Sequence, residues 1–208
     1  MDTNIKHKYW KKRIFDLVLC SFSCFVILPV VVIIAMAAFI SMGHPIIFKQ
    51  LRPGKDGKPF YMYKFRTMLE LKDDEGNYLP DEKRLTTFGR LLRRYSLDEL
   101  PELWNVIKND MSLVGPRPLL MEYIDYYTPE QARRHEVKPG ITGLAQISGR
   151  NAISWEDKFN LDVWYVDNWS LRLDLEIIFL TILKVLKGEG ISAAGHVTMP
   201  KFKGKNDG

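Results

Sequence analysis

Residues 17–42 form an apolar run of 26 residues without one Asp, Glu, Lys or Arg. As a helix at ~1.5 Å per residue it is about 39 Å long, enough to cross a ~30 Å hydrocarbon core. It is too long for a signal peptide and lacks a small-residue cleavage site. Pro29 divides it into 17–28 and 30–42, each arm about one leaflet deep. Both flanks are basic: Lys6, Lys8, Lys11, Lys12 and Arg13 before it, Lys49, Arg52, Lys55 and Lys58 after. Positive charge is retained on the cytoplasmic side. A helix that bends at Pro29 and returns keeps both flanks there, whereas a straight crossing exports one. A kinked span is the competing arrangement. The carbonyl that Pro29 frees needs a partner, because lipid offers none. Asp16 stands at pairing distance from Lys12 or Arg13.

The reading is of an α+β chain, predominantly helical. It predicts a monotopic membrane protein with an N-terminal re-entrant helix, amphipathic interfacial helices and a small β-hairpin. Residues 1–43 are assigned to the membrane and 44–208 to a domain on the cytoplasmic face. The hairpin is predicted from a strand at 46–50, turn chemistry at 53–59 and a strand at 60–65. Residues 70–83 read as a surface loop. Helices are predicted at 88–94, from Pro101 to about Asn109, at 122–127, from Thr128 to about Glu136, from Ser154 to about Asp167, and at 173–186. Thr128-Pro129-Glu130-Gln131 carries the capping-box pattern. Gly188 is expected to close the last helix, whose broad apolar stripe suits an interface or a core. Residues 144–147 read as a strand. Cys20 and Cys24, at i, i+4 in the apolar run, imply neither a disulfide framework nor zinc. His135 has no second histidine at ligand spacing and reads as structural.

Chemistry concentrates at Ser96-Leu97-Asp98-Glu99-Leu100-Pro101. Ser96 and Glu99 have capping-box spacing, which puts Asp98 in the first turn of a helix; alternatively Asp98 is itself the cap. An ionised carboxylate there can hold Mg²⁺ or attack phosphorus. The commoner arrangement is a plain cap with an Asp–Arg surface pair. In Val114-Gly115-Pro116-Arg117-Pro118, two prolines stiffen the loop that presents Arg117, which suits a phosphate clamp or a carboxylate partner. Lys64 and Arg66 flank Phe65. The net charge of +5 favours anionic partners. The basic residues split between membrane flanks and isolated loops, which argues against nucleic acid.

Five stretches carry a family resemblance: Arg52-Pro53-Gly54, Tyr63-Lys64-Phe65-Arg66-Thr67-Met68, the Asp98–Glu99 stretch, Met111-Ser112-Leu113-Val114-Gly115-Pro116-Arg117-Pro118, and Lys138-Pro139-Gly140-Ile141-Thr142-Gly143-Leu144-Ala145-Gln146. Together, in this order, they resemble the bacterial sugar transferases, specifically the small monotopic phosphoglycosyl transferases. Asn151-Ala152-Ile153-Ser154-Trp155-Glu156 and the tail 201–206 are most similar to the undecaprenyl phosphate N,N′-diacetylbacillosamine 1-phosphate transferases.

The resemblance implies transfer of a sugar 1-phosphate from a UDP-sugar to undecaprenyl phosphate at the bacterial inner membrane, on its cytoplasmic face. It implies Asp98 as nucleophile, and Glu99 in Mg²⁺ binding and proton handling. Arg93, Arg117, Arg150 and Lys64 are implied as phosphate ligands, and Pro29 as the membrane bend. Downstream glycosyltransferases become candidate partners. One departure is Leu28, where minimal members often carry a serine whose hydroxyl can bond a freed carbonyl.

Overall fold

The computed structural model describes residues 3–149, 153–187, 202 and 204. It opens with α1 (Thr3–Met42), a single helix that continues through Pro29. The two arms expected from the sequence are thus one element. Over Trp10–Met42 it is long and apolar enough to cross a membrane. It docks on the rest of the chain through Cys20 and Cys24 on one side of Pro29 and through Val31 and Ile34 on the other, and the stretch between is largely exposed. None of residues 21–30 is buried, and Phe22, Phe25, Val26, Leu28 and Val30 are exposed. On the first arm, Cys20 packs with Phe60, Met62, Val106 and Met111. On the second, Ile34 packs with Phe65 and Leu92.

Polar contacts fix the first arm. Lys12 reaches Asp174 at 2.6 Å and Asp16 at 3.8 Å, as its spacing predicts. Asp16 also accepts from the Ser112 hydroxyl at 2.7 Å. Arg13 does not pair with Asp16. It donates to the carbonyls of Val106 and Ile107 at 2.6 and 2.9 Å, which a helix end leaves without intrahelical partners.

The predicted hairpin is present: β1 (Ile47–Pro53) pairs antiparallel with β2 (Pro59–Phe65), Ile47 opposite Phe65 and Pro53 opposite Pro59. The 70–83 segment holds a Lys72–Tyr78 bridge and leads to α2 (Asp81–Arg84). Next come α3 (Thr87–Arg94), capped by Thr86, and α4 (Glu102–Ile107). β3 (Ser112–Val114) follows, and a 3-10 segment, Met121–Tyr126, lies where a helix was expected.

Thr128 and Gln131 form the predicted capping box on α5 (Pro129–Ala132), which tightens into a 3-10 turn at Arg133–Glu136. β4 (Gly140–Thr142) pairs parallel with β3. A Cβ on Gly140 would land on the Gly115 amide, so only glycine permits this approach. The strand expected at 144–147 is instead α6 (Leu144–Ser148), because Gly143 is extended and the chain turns helical directly after it. Ser154 caps α7 (Trp155–Asn168), and α8 (Leu171–Lys187) follows. Ile177 on α8 packs with Val114 and Tyr165, while Leu175, Phe179, Ile182 and Leu186 are exposed. Gly188, Asn151 and Ala152 lie outside the described residues, as do Arg150 and all of the tail 201–206 except Phe202 and Gly204.

Candidate active site

The expected capping box at Ser96 does not form. Ser96 is left-handed (φ 52°, ψ 24°) and makes no side-chain cap, whereas a cap residue is normally extended. It turns the chain sharply after α3 into one 3-10 turn, Leu97–Glu99. Nor is Asp98 the cap of α4, because Pro101 holds that position. Leu97 and Leu100, three residues apart, share one face of a 3-10 turn. Both pack on the Ile34–Phe65–Leu92 cluster. That placement leaves the two acids to face β2 and the loop around Arg117.

Side-chain alternation along β2 puts Lys64 on the same face as Phe60 and Met62, both buried. A lysine on that face needs counter-charges. It finds Glu99 Oε1 at 2.7 Å and Glu102 Oε1 at 3.1 Å. Asn105, fully buried, locks α4 to β2: its Oδ1 accepts from the Tyr63 amide at 3.1 Å, and its Nδ2 donates to the Tyr61 carbonyl at 2.7 Å. Arg117 donates to the same Glu99 oxygen at 2.6 Å and keeps 42% of its side chain exposed. Arg93 is set by a close approach of α3 to the preceding loop. Gly89 lies so near the Thr67 carbonyl that no Cβ fits, and Arg93 then donates to the Thr67 hydroxyl at 3.1 Å.

Three carboxylates therefore share one site in three conditions. Burial pushes Glu99 up, but Arg117 and Lys64 outweigh it and hold the carboxyl well below the usual range. Burial raises Asp98, the Glu99 charge adds to this, and Lys64, Arg93 and Arg117 oppose it. Burial pushes Glu102 up to about 7 against the pull of Lys64, with the Glu99 charge adding. Asp98 is 8% exposed. Among the described residues it makes no hydrogen bond or ion pair, although three cations act on it. Positive charge also accumulates beyond Arg117: burial and Arg117 bring Arg52 down to about 10 and Lys158 down to about 8.

The structure thus brings Asp98, Glu99, Lys64, Arg93 and Arg117 together; Arg150 lies outside the described residues. Sequence reasoning missed Glu102, Asn105 and the buried Arg134–Asp162 pair. Among the described residues, no three His, Cys, Asp or Glu side chains converge as a ready-made metal cage. Mg²⁺ at phosphoryl-transfer sites takes one or two carboxylates and completes its shell with substrate phosphate and water. The Asp98–Glu99 pair suits that pattern, since Asp98 has no competing hydrogen bond among the described residues. At His135 burial first, then the Arg134 charge, bring the ring down to about 4, so it is neutral at pH 7.

A helix long and apolar enough to cross a membrane thus accompanies a buried carboxylate set among cations. The chain belongs to the bacterial sugar transferase family, whose model matches residues 7–188. It is 59% identical over 201 residues to the Bacillus subtilis protein EpsL, named only as a sugar transferase, covering 94% of this chain and 97% of that one. It is 40% identical over 183 residues to the Klebsiella pneumoniae UDP-glucose:undecaprenyl-phosphate glucose-1-phosphate transferase, covering 83% of this chain and 39% of that protein. With the Salmonella typhimurium undecaprenyl-phosphate galactose phosphotransferase it shares 39% identity over 196 residues, covering 86% of this chain and 41% of the other. The chain thus spans about two fifths of the length of these last two relatives.

Proposed function

We propose that this protein moves a sugar 1-phosphate from a UDP-sugar to undecaprenyl phosphate with release of UMP, through a phosphosugar carried on Asp98. The observation that carries this reading is the Asp98 carboxylate itself. It is buried, without a hydrogen bond or ion pair among the described residues, and faced by Lys64, Arg93 and Arg117. A carboxylate kept only as a cap or surface partner would be bonded. One with a raised pKa, faced by cations but bonded to none of the described side chains, is a more basic nucleophile.

An Asp98 oxygen attacks the sugar-linked phosphorus of the donor. The bond between the two phosphates breaks, and UMP leaves with that electron pair. An undecaprenyl phosphate oxygen then attacks the same phosphorus and expels the Asp98 carboxylate, which is regenerated. One phosphoanhydride replaces another, so no ATP is needed. Arg117 and Arg93 offset the negative charge that otherwise repels a carboxylate from a phosphate. Lys64 keeps Glu99 ionised beside Asp98. Mg²⁺, held by Asp98 and Glu99 when bound, supplies further positive charge against the donor's phosphates.

A lipid acceptor requires a site at the bilayer surface. The exposed middle of α1 between two docked arms supports insertion into one leaflet and return, with the basic flanks at the cytoplasmic face of the inner membrane. The sugar is N,N′-diacetylbacillosamine in this reading, supported by the resemblance at 151–156 and 201–206. The Klebsiella pneumoniae and Salmonella typhimurium relatives, named for glucose and galactose transfer, make those sugars the competing donors.

The test is a panel of these UDP-sugars with undecaprenyl phosphate, scored by UMP and by lipid-linked product, with Asp98→Asn as control. Transfer to lipid that Asp98→Asn abolishes, with membrane association kept, is expected. Free sugar phosphate in place of lipid product would make the protein a phosphatase. No UMP from any donor would leave a non-catalytic scaffold on the same fold.

A further inference from the structure

The loop that presents Arg117 is flanked by two residues, Pro116 and Pro118, that have no N–H. Within Pro-Arg-Pro, backbone anchoring falls largely to the carbonyls. The Pro116 carbonyl accepts from the Gly140 amide at 3.0 Å. The Arg117 carbonyl accepts from Nη2 of Arg134 at 2.8 Å. Arg134 is 2% exposed and its guanidinium nitrogens divide the work. Nε and Nη2 hold Oδ2 of Asp162 at 3.1 and 2.6 Å, and Nη1 donates to the Tyr127 hydroxyl at 3.1 Å. The rings of Phe159 and Tyr127 stand 5.5 and 5.7 Å from its Cζ. Asp162, 3% exposed on α7, supplies the counter-charge that a buried guanidinium requires.

We infer that Arg134, held in place by Asp162, is a positioning residue that sets the Arg117 guanidinium against Glu99 and the reacting phosphate. The line runs from α7 through Asp162 and Arg134 to the Arg117 backbone, and from the Arg117 side chain to Glu99 at 2.6 Å. The bond to the Arg117 carbonyl ties this buried pair directly to the loop that carries Arg117. A lysine at 134 keeps the charge but cannot serve Asp162, Tyr127 and the Arg117 carbonyl in one planar arrangement. Freed of that bond, the loop can drift, and misplacement of a catalytic group by ~1 Å costs about a hundredfold in rate. The inference rests on the transferase reading.

The test uses the full chain in lipid nanodiscs, comparing Arg134→Lys, Asp162→Asn, Arg117→Ala and the double variant Arg117→Ala/Arg134→Lys. Both Arg134→Lys and Asp162→Asn are expected to lower kcat for UMP release by about 10- to 100-fold, with donor KM changing far less. In the Arg117→Ala background, Arg134→Lys is expected to cost less than about twofold, since the residue it acts through is gone. An equal penalty with and without Arg117, or full kcat in folded Arg134→Lys, overturns the inference. Arginine side-chain NMR gives a readout that needs no turnover. The Arg117 guanidinium should rotate slowly in the wild type and freely in Arg134→Lys, and unchanged rotation overturns the inference as well. Wild type that releases no UMP defeats the transferase reading by itself, and the NMR comparison then decides the role of Arg134.

Discussion

Replacing Glu102 by Gln should change how stability depends on pH, by an amount set by one buried side chain. Glu102 is 2% exposed. Its carboxyl, ordinarily at 4.5, is pushed up to about 7 by burial, against Lys64 and with help from the Glu99 charge. The folded chain therefore binds this proton more tightly than the unfolded chain. Below pH 4.5 both states hold it. As pH rises from 4.5 to about 7 the unfolded chain releases it first, so folding loses stability; above about 7 the whole cost is present. The interval, 7 − 4.5, is about 2.5 units, and at ~1.4 kcal/mol per unit the cost is on the order of 3 kcal/mol. For a chain of this size each kcal/mol moves Tm by about 2–4 °C, so the effect is on the order of 10 °C.

Glu102→Gln keeps the shape and removes the titration. Tryptophan-fluorescence melts in nanodiscs, run from pH 4.5 to 8.5, should show the variant gaining on wild type by that amount as pH rises. Parallel curves for the two proteins would refute the reasoning, because they would mean that Glu102 titrates alike folded and unfolded.

Two further outcomes follow from the same site and from α1. Asn105→Ala removes three hydrogen bonds, to Tyr63, Tyr61 and Asp110, worth about 1 kcal/mol each. Denaturant titration should show a loss of about 3 kcal/mol, and a retained midpoint would mean that α4 is not held to β2 through this side chain. Single cysteines at Lys11→Cys and Lys49→Cys, with Cys20 and Cys24 replaced by Ala, should both be labelled from the cytoplasmic side of sealed vesicles. Labelling of the two from opposite sides would make α1 a spanning helix.

Where the sequence could be read correctly, the cause was local. The Thr128 and Ser154 caps, the hairpin turn and the apolar run each depend on neighbours within a few residues. The failures have physical causes too. Residues 144–147, Leu-Ala-Gln-Ile, are a short, mostly apolar stretch beside a glycine, a pattern that strand and helix share. β3 and β4 are three residues each and parallel, too short for any period to show. Ser96 has the letters of a cap but a left-handed backbone, which only its place after α3 dictates.

Glu102 and Asp162 look like solvated helix positions. Each is buried because of a cation far off in the chain, Lys64 for one and Arg134 for the other. Asp98 and Arg117 stood out from proline placement and family likeness. What could not be read was that Lys64 and Arg117 meet on Glu99 and leave Asp98 without a hydrogen bond or ion pair among the described residues.

Mass spectrometry of the protein mixed with donor alone, with no lipid acceptor present, tests that arrangement most directly. A phosphosugar mass on the peptide containing Asp98, one UMP released per chain, and loss of the adduct when undecaprenyl phosphate is added are the predicted results. An unmodified Asp98 peptide under conditions where added lipid still yields product would contradict the account.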